Sequence, residues 1–214
     1  MSSVPLKLKF VLGPESAGIL MTPKEFDAIE DYDENYRYEL IHGVVVVSPL
    51  PLAAETDPNE ELGRWLRNYQ EQHPRGKAMD LTLPQQYVYT RTSRRIADRL
   101  VWTRLGRIPD RKRDLPSIAV EFVSAGRRSF QRDYVVKRKE YMRLRIGEYW
   151  IIDRFRRIMT VVRNGPTGPR EIIVHENETY RTPLLPGFEL ALAALFEIAD
   201  RWHRPSKRAS ASRR

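Results

Sequence analysis

Two acids occupy positions where packing alone would place hydrocarbon. Asp98 lies within Arg95-Ile96-Ala97-Asp98-Arg99-Leu100-Val101-Trp102, and Glu121 within Ile118-Ala119-Val120-Glu121-Phe122-Val123-Ser124. The second segment is nearly all apolar apart from its glutamate, the pattern of a strand buried on both faces. A carboxylate in such a strand gives up several kcal/mol of solvation unless a cation or hydrogen bonds replace the water. A divalent metal is one such cation, and Mg²⁺ is typically held by one or two carboxylates, waters and substrate phosphate oxygens. The alternative is neutralisation by a neighbouring guanidinium such as Arg95 or Arg99. Downstream, Asp133, Lys137 and Tyr141 are spaced i, i+4, i+8, which sets them on one helical face. If that helix packs back over the sheet, Lys137 can reach the acids. There an ammonium can position a water, help it ionise or offset charge in a phosphoryl transition state. The competing reading is a plain Asp–Lys surface pair.

The elements that must position these groups alternate between strand and helix. Thr22, Pro23 and Glu25 form a helix start with a capping box. Tyr38–Ile41 and Val44–Val47 flank His42-Gly43 as a β-hairpin ended by Pro49 and Pro51. From Asp57 to Gln72, Leu62, Trp65, Leu66 and Tyr69 fall at helical spacing, stopped by Pro74 and Gly76. Strands are expected at Ala78–Leu83, Gln86–Thr90, Arg95–Trp102 and Ser117–Ser124, then a basic helix over Phe130–Arg145. Tyr149–Asp153 and Ile158–Arg163 pair around a turn at Phe155-Arg156, Ile172–His175 and Tyr180-Arg181 are weaker strands, and Leu190–Trp202 closes as an amphipathic helix. This interleaving predicts one α/β core with a mixed sheet.

With 214 residues the chain is long enough for one substantial core. It has no cysteine, which excludes disulfides, thiolate metal sites and thiol nucleophiles. No segment approaches the ~20 apolar residues of a membrane span, and the chain is expected to be cytoplasmic. His42, His73, His175 and His203 form no metal or triad spacing, and Gly126 and Gly165 stand alone rather than in a phosphate-binding loop, so zinc peptidases, serine hydrolases and nucleotide-driven enzymes are excluded. Tyr149 and Trp150 read as core. The net charge of +9 is uneven: residues 91–145 carry 17 Lys+Arg against 6 Asp+Glu, and His203–Arg214 adds five cations without an acid. Such blocks attract polyanions, of which nucleic acid is the usual one.

The succession Tyr38-Glu39-Leu40-Ile41-His42-Gly43, Ser48-Pro49, Asp98, Val120-Glu121-Phe122-Val123-Ser124, Asp133…Lys137…Tyr141 and Glu148-Tyr149-Trp150-Ile151-Ile152-Asp153 resembles the Uma family of putative restriction endonucleases, from about Thr22 to the closing helix. That family looks like a branch of the PD-(D/E)XK nucleases. The resemblance implies a restriction-endonuclease-like core over residues 21–202, a mixed β-sheet flanked by helices with an N-terminal helix and β-hairpin. Residues 1–20 would be an N-terminal extension and 203–214 a basic disordered tail. It further implies Asp98, Glu121 and the carbonyl of Phe122 as metal ligands, Lys137 as the lysine displaced to the following helix, and Glu39 as an additional acid at the site edge. Three positions depart from the pattern: Val123 stands where the E-x-K triplet has lysine, Ala97 where the family has proline, and Asn59 nearest the family's helix-opening histidine. The implied activity is a Mg²⁺-dependent endonuclease acting on DNA, with Mn²⁺ as a substitute ion and homodimerisation as the route to cutting two strands. The alternative is a catalytically inactive nucleic-acid-binding or regulatory protein on the same fold. A homodimer with no nucleic-acid partner fits the apolar strands but not the charge map.

The basic tail generates a first test. Truncation after Trp202 should lower the salt slope of DNA binding by roughly 0.9 for each phosphate the tail neutralises. An unchanged slope in a fluorescence titration would make the tail a bystander.

Overall fold

The computed structural model describes residues 10–202, which fall into two compact units: residues 10–50 with 87–96, and residues 51–86 with 97–202. The tail expected at 203–214 and the first nine residues of the expected extension lie outside the described residues.

In the first unit β1 (Val11–Leu12) pairs in parallel with β2 (Asp31–Tyr32), and α1 (Pro23–Asp27) lies between them in the chain. The capping box forms as the sequence predicts. Thr22 Oγ1 accepts from the Glu25 amide at 3.2 Å, and the Glu25 carboxylate accepts from the Thr22 amide at 2.7 Å. The hairpin of β3 (Tyr36–Ile41) and β4 (Val44–Pro49) pairs Ile41 with Val44. His42 and Gly43 take φ of 50° and 83°, the left-handed backbone that a two-residue hairpin turn requires. Leu12, Phe26, Tyr38, Leu40 and Val45 close a small core.

In the second unit the chain runs through α2 (Ala53–Gln72), β5 (Met79–Tyr89), β6 (Arg94–Thr103), β7 (Ile118–Phe122), α3 (Arg127–Phe130), a π-helical segment (Gln131–Lys137), α4 (Arg138–Arg143), β8 (Glu148–Asp153), β9 (Ile158–Arg163), β10 (Arg170–His175), β11 (Thr179–Arg181), β12 (Glu189–Ala191) and α5 (Leu192–Arg201). The last residues of β5 and the first of β6 belong to the first unit, where Arg94 pairs with Leu40. The strand order is β10-β9-β8-β7-β6, with β5 also on β6. Strands β7 and β8 are parallel, while β6–β7, β8–β9 and β9–β10 are antiparallel. The sheet is therefore mixed and flanked by helices, as expected. Its faces differ. Ile118, Val120 and Phe122 of β7, with Trp150 and Ile152 of β8, join Leu62, Leu66 and Tyr69 of α2 and Leu195 and Phe196 of α5 in the main core. Each such fully buried side chain contributes about 1.5–3 kcal/mol. The intervening residues of β7 and β8, among them Glu121 and Tyr149, point to the other face.

Several boundaries differ from the sequence reading. Helix α2 begins at Ala53, four residues before Asp57, and carries Pro58 inside it. Proline removes one helical hydrogen bond, but Glu55 accepts from the Leu52 amide at 3.3 Å and closes a turn ahead of it. The two strands expected on either side of Pro84 are one strand, β5, within which Gln85 takes φ 49°. The basic helix starts at Arg127 rather than Phe130 and passes from α to π and back. Strand β12, which the sequence reading folded into the closing helix, pairs with β11. Among the described residues no helix is long and apolar enough to cross a membrane.

Glu148 opens β8 fully buried and accepts from Trp150 Nε1 at 2.8 Å, Arg163 Nε at 2.7 Å, Thr182 Oγ1 at 2.9 Å and Tyr180 Oη at 3.0 Å. Removing the acceptor strands these donors, so Glu148→Ala should cost about 3–5 kcal/mol in denaturant unfolding. A loss below about 1 kcal/mol would mean that the donors find other partners.

Candidate active site

The register of β6 on β7 decides where the two acids go. Arg99 pairs with Val120, Leu100 with Ala119 and Val101 with Ile118. One further step of that antiparallel register sets Asp98 opposite Glu121, and residues opposed in this way share a face. At that step Asp98 Oδ2 accepts from the Phe122 amide at 2.8 Å, a side-chain bond bridging the two strands. From the far side, Asn59 Nδ2 of α2 donates to the Asp98 carbonyl at 2.8 Å, while Arg99 Nε donates to Asn59 Oδ1 at 2.8 Å. Asn59 thus clamps the Asp98 backbone. Arg95 and Arg99, offered by the sequence as counterions for Asp98, are engaged with Glu39 and with Asn59 and Glu60.

Glu121 takes its cation from the helix. Lys137 Nζ donates to Glu121 Oε1 at 2.8 Å, with both side chains almost wholly removed from solvent, and Tyr141 Oη lies 3.5 Å from the same oxygen. Asp133, Lys137 and Tyr141 are all buried, so the shared face predicted from spacing holds, although the turn carrying the first two is π-helical. Such turns are rare and recur at functional sites. The segment is fixed by Tyr149, whose hydroxyl donates to the Asp133 carbonyl at 3.1 Å, and by Arg132, which donates to both Asp133 carboxylate oxygens. Burial pushes the Glu121 carboxyl well above the ordinary glutamate range, to about 8; Lys137 opposes the shift, and Asp98 and Asp133 add to it.

A further acid stands beside Asp98 that the sequence reading missed. Glu55, in the first turn of α2, is 5% exposed, and its Oε1 is buried without a hydrogen-bond partner. Burial raises its carboxyl, a hydrogen bond from Ser124 and the Leu52 amide oppose this, and the nearby Asp98 charge raises it again. Glu55 borders a cavity of about 10 Å³ with Phe122, Val123 and Arg154, room for about one water. Its signal was a glutamate three residues after Leu52, in a stretch read as preceding the helix. The structure brings Asp98, Glu121, the Phe122 amide and Lys137 together. Glu39 lies in the first unit, where its Oε1 accepts from the Ile96 amide at 2.9 Å and Arg95 Nη1 stands 3.6 Å away.

Residues 23–193 match the profile of a family described as Uma2, putative restriction endonuclease. The chain belongs to the Uma2 family. Its fold is similar to that of a protein from Anabaena variabilis, described as a putative nuclease belonging to DUF820. The TM-score is 0.66 at 15% identity, over 84% of this chain and 99% of that one. No curated protein sequence matches the chain.

The raised Glu121 carboxyl sets a pH test for the metal-free Uma2 protein. The folded state holds a proton that the unfolded chain releases near 4.5, so this group's stabilisation is complete below about 4.5 and lost as pH rises through about 8. Glu121→Gln has no such proton. In EDTA, the variant's melting temperature relative to wild type should therefore climb across that window. A difference independent of pH would show that Lys137 keeps Glu121 ionised throughout.

Proposed function

We propose that this protein is a Mg²⁺-dependent nuclease hydrolysing phosphodiester bonds of DNA. The observation that carries the reading is the buried Glu121–Lys137 pair on the sheet face to which the register also assigns Asp98. Among the described residues no three histidine or acidic side chains close as a ready-made metal cage. That donor set nonetheless suits Mg²⁺, which binds through one or two carboxylates and completes its shell with waters and substrate phosphate rather than with a dedicated protein cage. Glu55, whose carboxyl is raised by burial and by the charge of nearby Asp98, is a further acid near Asp98. Asp98, Glu121 and the Phe122 carbonyl would hold the ion. When bound, Mg²⁺ supplies Lewis-acid polarisation of the phosphate and a more acidic water.

The chain's own groups do the rest. Phe122 and Asn59 hold Asp98 in place through its carboxylate and its carbonyl. Lys137, held over Glu121, places an ammonium where negative charge grows on the phosphoryl group in the transition state. The Tyr141 hydroxyl limits the angles open to the Glu121 carboxylate. Glu39 has structural partners in its own unit and is given no step. Family membership and the name of the Anabaena variabilis relative support a nuclease; DNA as the substrate rests on the resemblance together with the basic block at residues 91–145.

A second reading, an inactive nucleic-acid-binding protein on the nuclease fold, is favoured by one observation. Lys137 already neutralises Glu121, as a structural ion pair would. Cleavage of plasmid and linear DNA across Mg²⁺ and Mn²⁺ separates the two. Glu121→Gln should abolish cleavage yet bind DNA in EDTA as well as wild type or better. Lys137→Met should lower the cleavage rate by about 10²–10³-fold while retaining metal binding. No wild-type cleavage on any substrate would select the binding protein, and cleavage equal in Glu121→Gln and wild type would place the activity elsewhere.

A further inference from the structure

Strands β7 and β8 are parallel neighbours, so the loops that follow them leave the sheet at the same edge, the one at which Glu121 and Phe122 end β7. The segment after β7, which runs into α3, and the turn after β8 each combine an exposed aromatic ring with arginines. After β7 come Ser124-Ala125-Gly126-Arg127-Arg128-Ser129-Phe130, and after β8 Arg154-Phe155-Arg156-Arg157, with no acid between residues 124 and 132 or between 154 and 157. Phe130 is 42% and Phe155 51% exposed, a placement that hydrocarbon packing does not favour.

The two segments are tied together by ring contacts and hydrogen bonds. Phe130 stacks on Tyr134 with ring centroids 4.4 Å apart and planes 21° from parallel. Arg156 lies over the same Tyr134 ring at 5.5 Å, and Arg154 lies over Phe155 at 4.2 Å. Asp153 joins the loops through one carboxylate. Its Oδ2 accepts from Tyr134 Oη at 3.1 Å, while its Oδ1 accepts from the amides of Phe155 at 3.0 Å and Arg156 at 3.1 Å. Arg157 is occupied by Glu176 and Asp200 and stands apart from this surface. Arg127, Arg128 and Arg156 are exposed.

We infer that this edge is a binding platform for single-stranded DNA, with unpaired bases stacking on Phe130 and Phe155 and the backbone running along Arg127, Arg128 and Arg156. Exposed rings with interleaved cations fit a strand whose base faces are open, whereas in a duplex the faces are stacked away and arginines alone would serve the phosphates. Tyr134 shares its π-helical segment with Asp133 and Lys137, so a strand lying on the platform leads a phosphodiester toward Glu121. This direction of travel rests on the nuclease reading; the binding does not.

Fluorescence anisotropy in EDTA, on a labelled mixed-sequence single strand and its blunt duplex, tests the platform without any cleavage. Wild type should prefer the single strand. Phe130→Ala and Phe155→Ala should each weaken single-strand binding on the order of tenfold, with little change in salt slope, because stacking neutralises no phosphate. Phe155→Trp should retain affinity, which separates a missing ring from a disturbed loop. The double variant Arg127→Gln/Arg128→Gln should lower the single-strand salt slope by roughly 0.7 for each phosphate those arginines neutralise. The platform is overturned if wild type prefers the duplex, if the phenylalanine variants weaken both forms equally or neither, or if Phe155→Ala dissociates a dimer in sedimentation without altering single-strand affinity. Intact platform binding with no cleavage would remove the nuclease reading and leave this one standing.

Discussion

An ammonium and a carboxylate removed from water together form the constraint on which the rest of the second unit depends. Neither Lys137 nor Glu121 is tolerable alone at nearly complete burial, because an unpaired buried charge costs several kcal/mol. Their 2.8 Å contact therefore requires the helix after β7 to return over the sheet and dock with a definite rotation. The π-helical turn, the Tyr149 bond to the Asp133 carbonyl and the Arg132 grip on Asp133 are the local features that hold that rotation. On the opposite face the apolar core needs no such precision, since it is stabilised by area rather than by direction.

The placement of lysine on a helix follows from the same geometry. The position two beyond Glu121 is Val123, which lies past the end of β7 and lines the small cavity beside Glu55. That position carries hydrocarbon here, and the ammonium instead descends from the layer above. Charge and carboxylate are thus supplied by different elements, one a strand and one a helix. Their relative position then depends on how the layers pack rather than on the pleat of a single strand. Asp98 is set by register, Glu121 by alternation and Lys137 by helix docking.

Around this pair the structure keeps a polar boundary that does not fully satisfy itself. Glu55 retains a buried oxygen with no hydrogen-bond partner and feels the Asp98 charge, and Glu121 is pushed toward its protonated form. A purely structural core would remove both tensions with hydrocarbon at little cost, since apolar replacements of buried ionic groups are often neutral or stabilising. Both acids feel the charge of Asp98, whose side chain bridges β6 and β7. The acids of the Glu-Tyr-Trp-Ile-Ile-Asp block have another purpose. Glu148 gathers four donors and Asp153 caps the turn into β9, so that block builds the frame.

Much of this was legible in the amino acids because it follows from local rules. Continuous apolar runs marked β7 and β8, the Thr22–Glu25 box marked α1, His42-Gly43 marked the hairpin, and a glutamate inside an apolar strand marked Glu121. The spacing of Asp133, Lys137 and Tyr141 survived a change from α to π because steps of four keep residues on one side in either winding. The rest was settled by tertiary structure. That Asp98 lies opposite Glu121 depends on a register between strands separated by a long loop, and a one-residue slip would have sent one acid to the other face. Glu55 comes near Asp98 because α2 starts ahead of its own proline, where local propensity places a break and only packing extends the helix. Glu39, suggested by resemblance, is carried by the hairpin and accepts from the Ile96 amide. Local chemistry names which residues are out of place in hydrocarbon; only the packing of layers determines which of them meet, because partner, register and burial belong to pairs of elements rather than to any one stretch of chain.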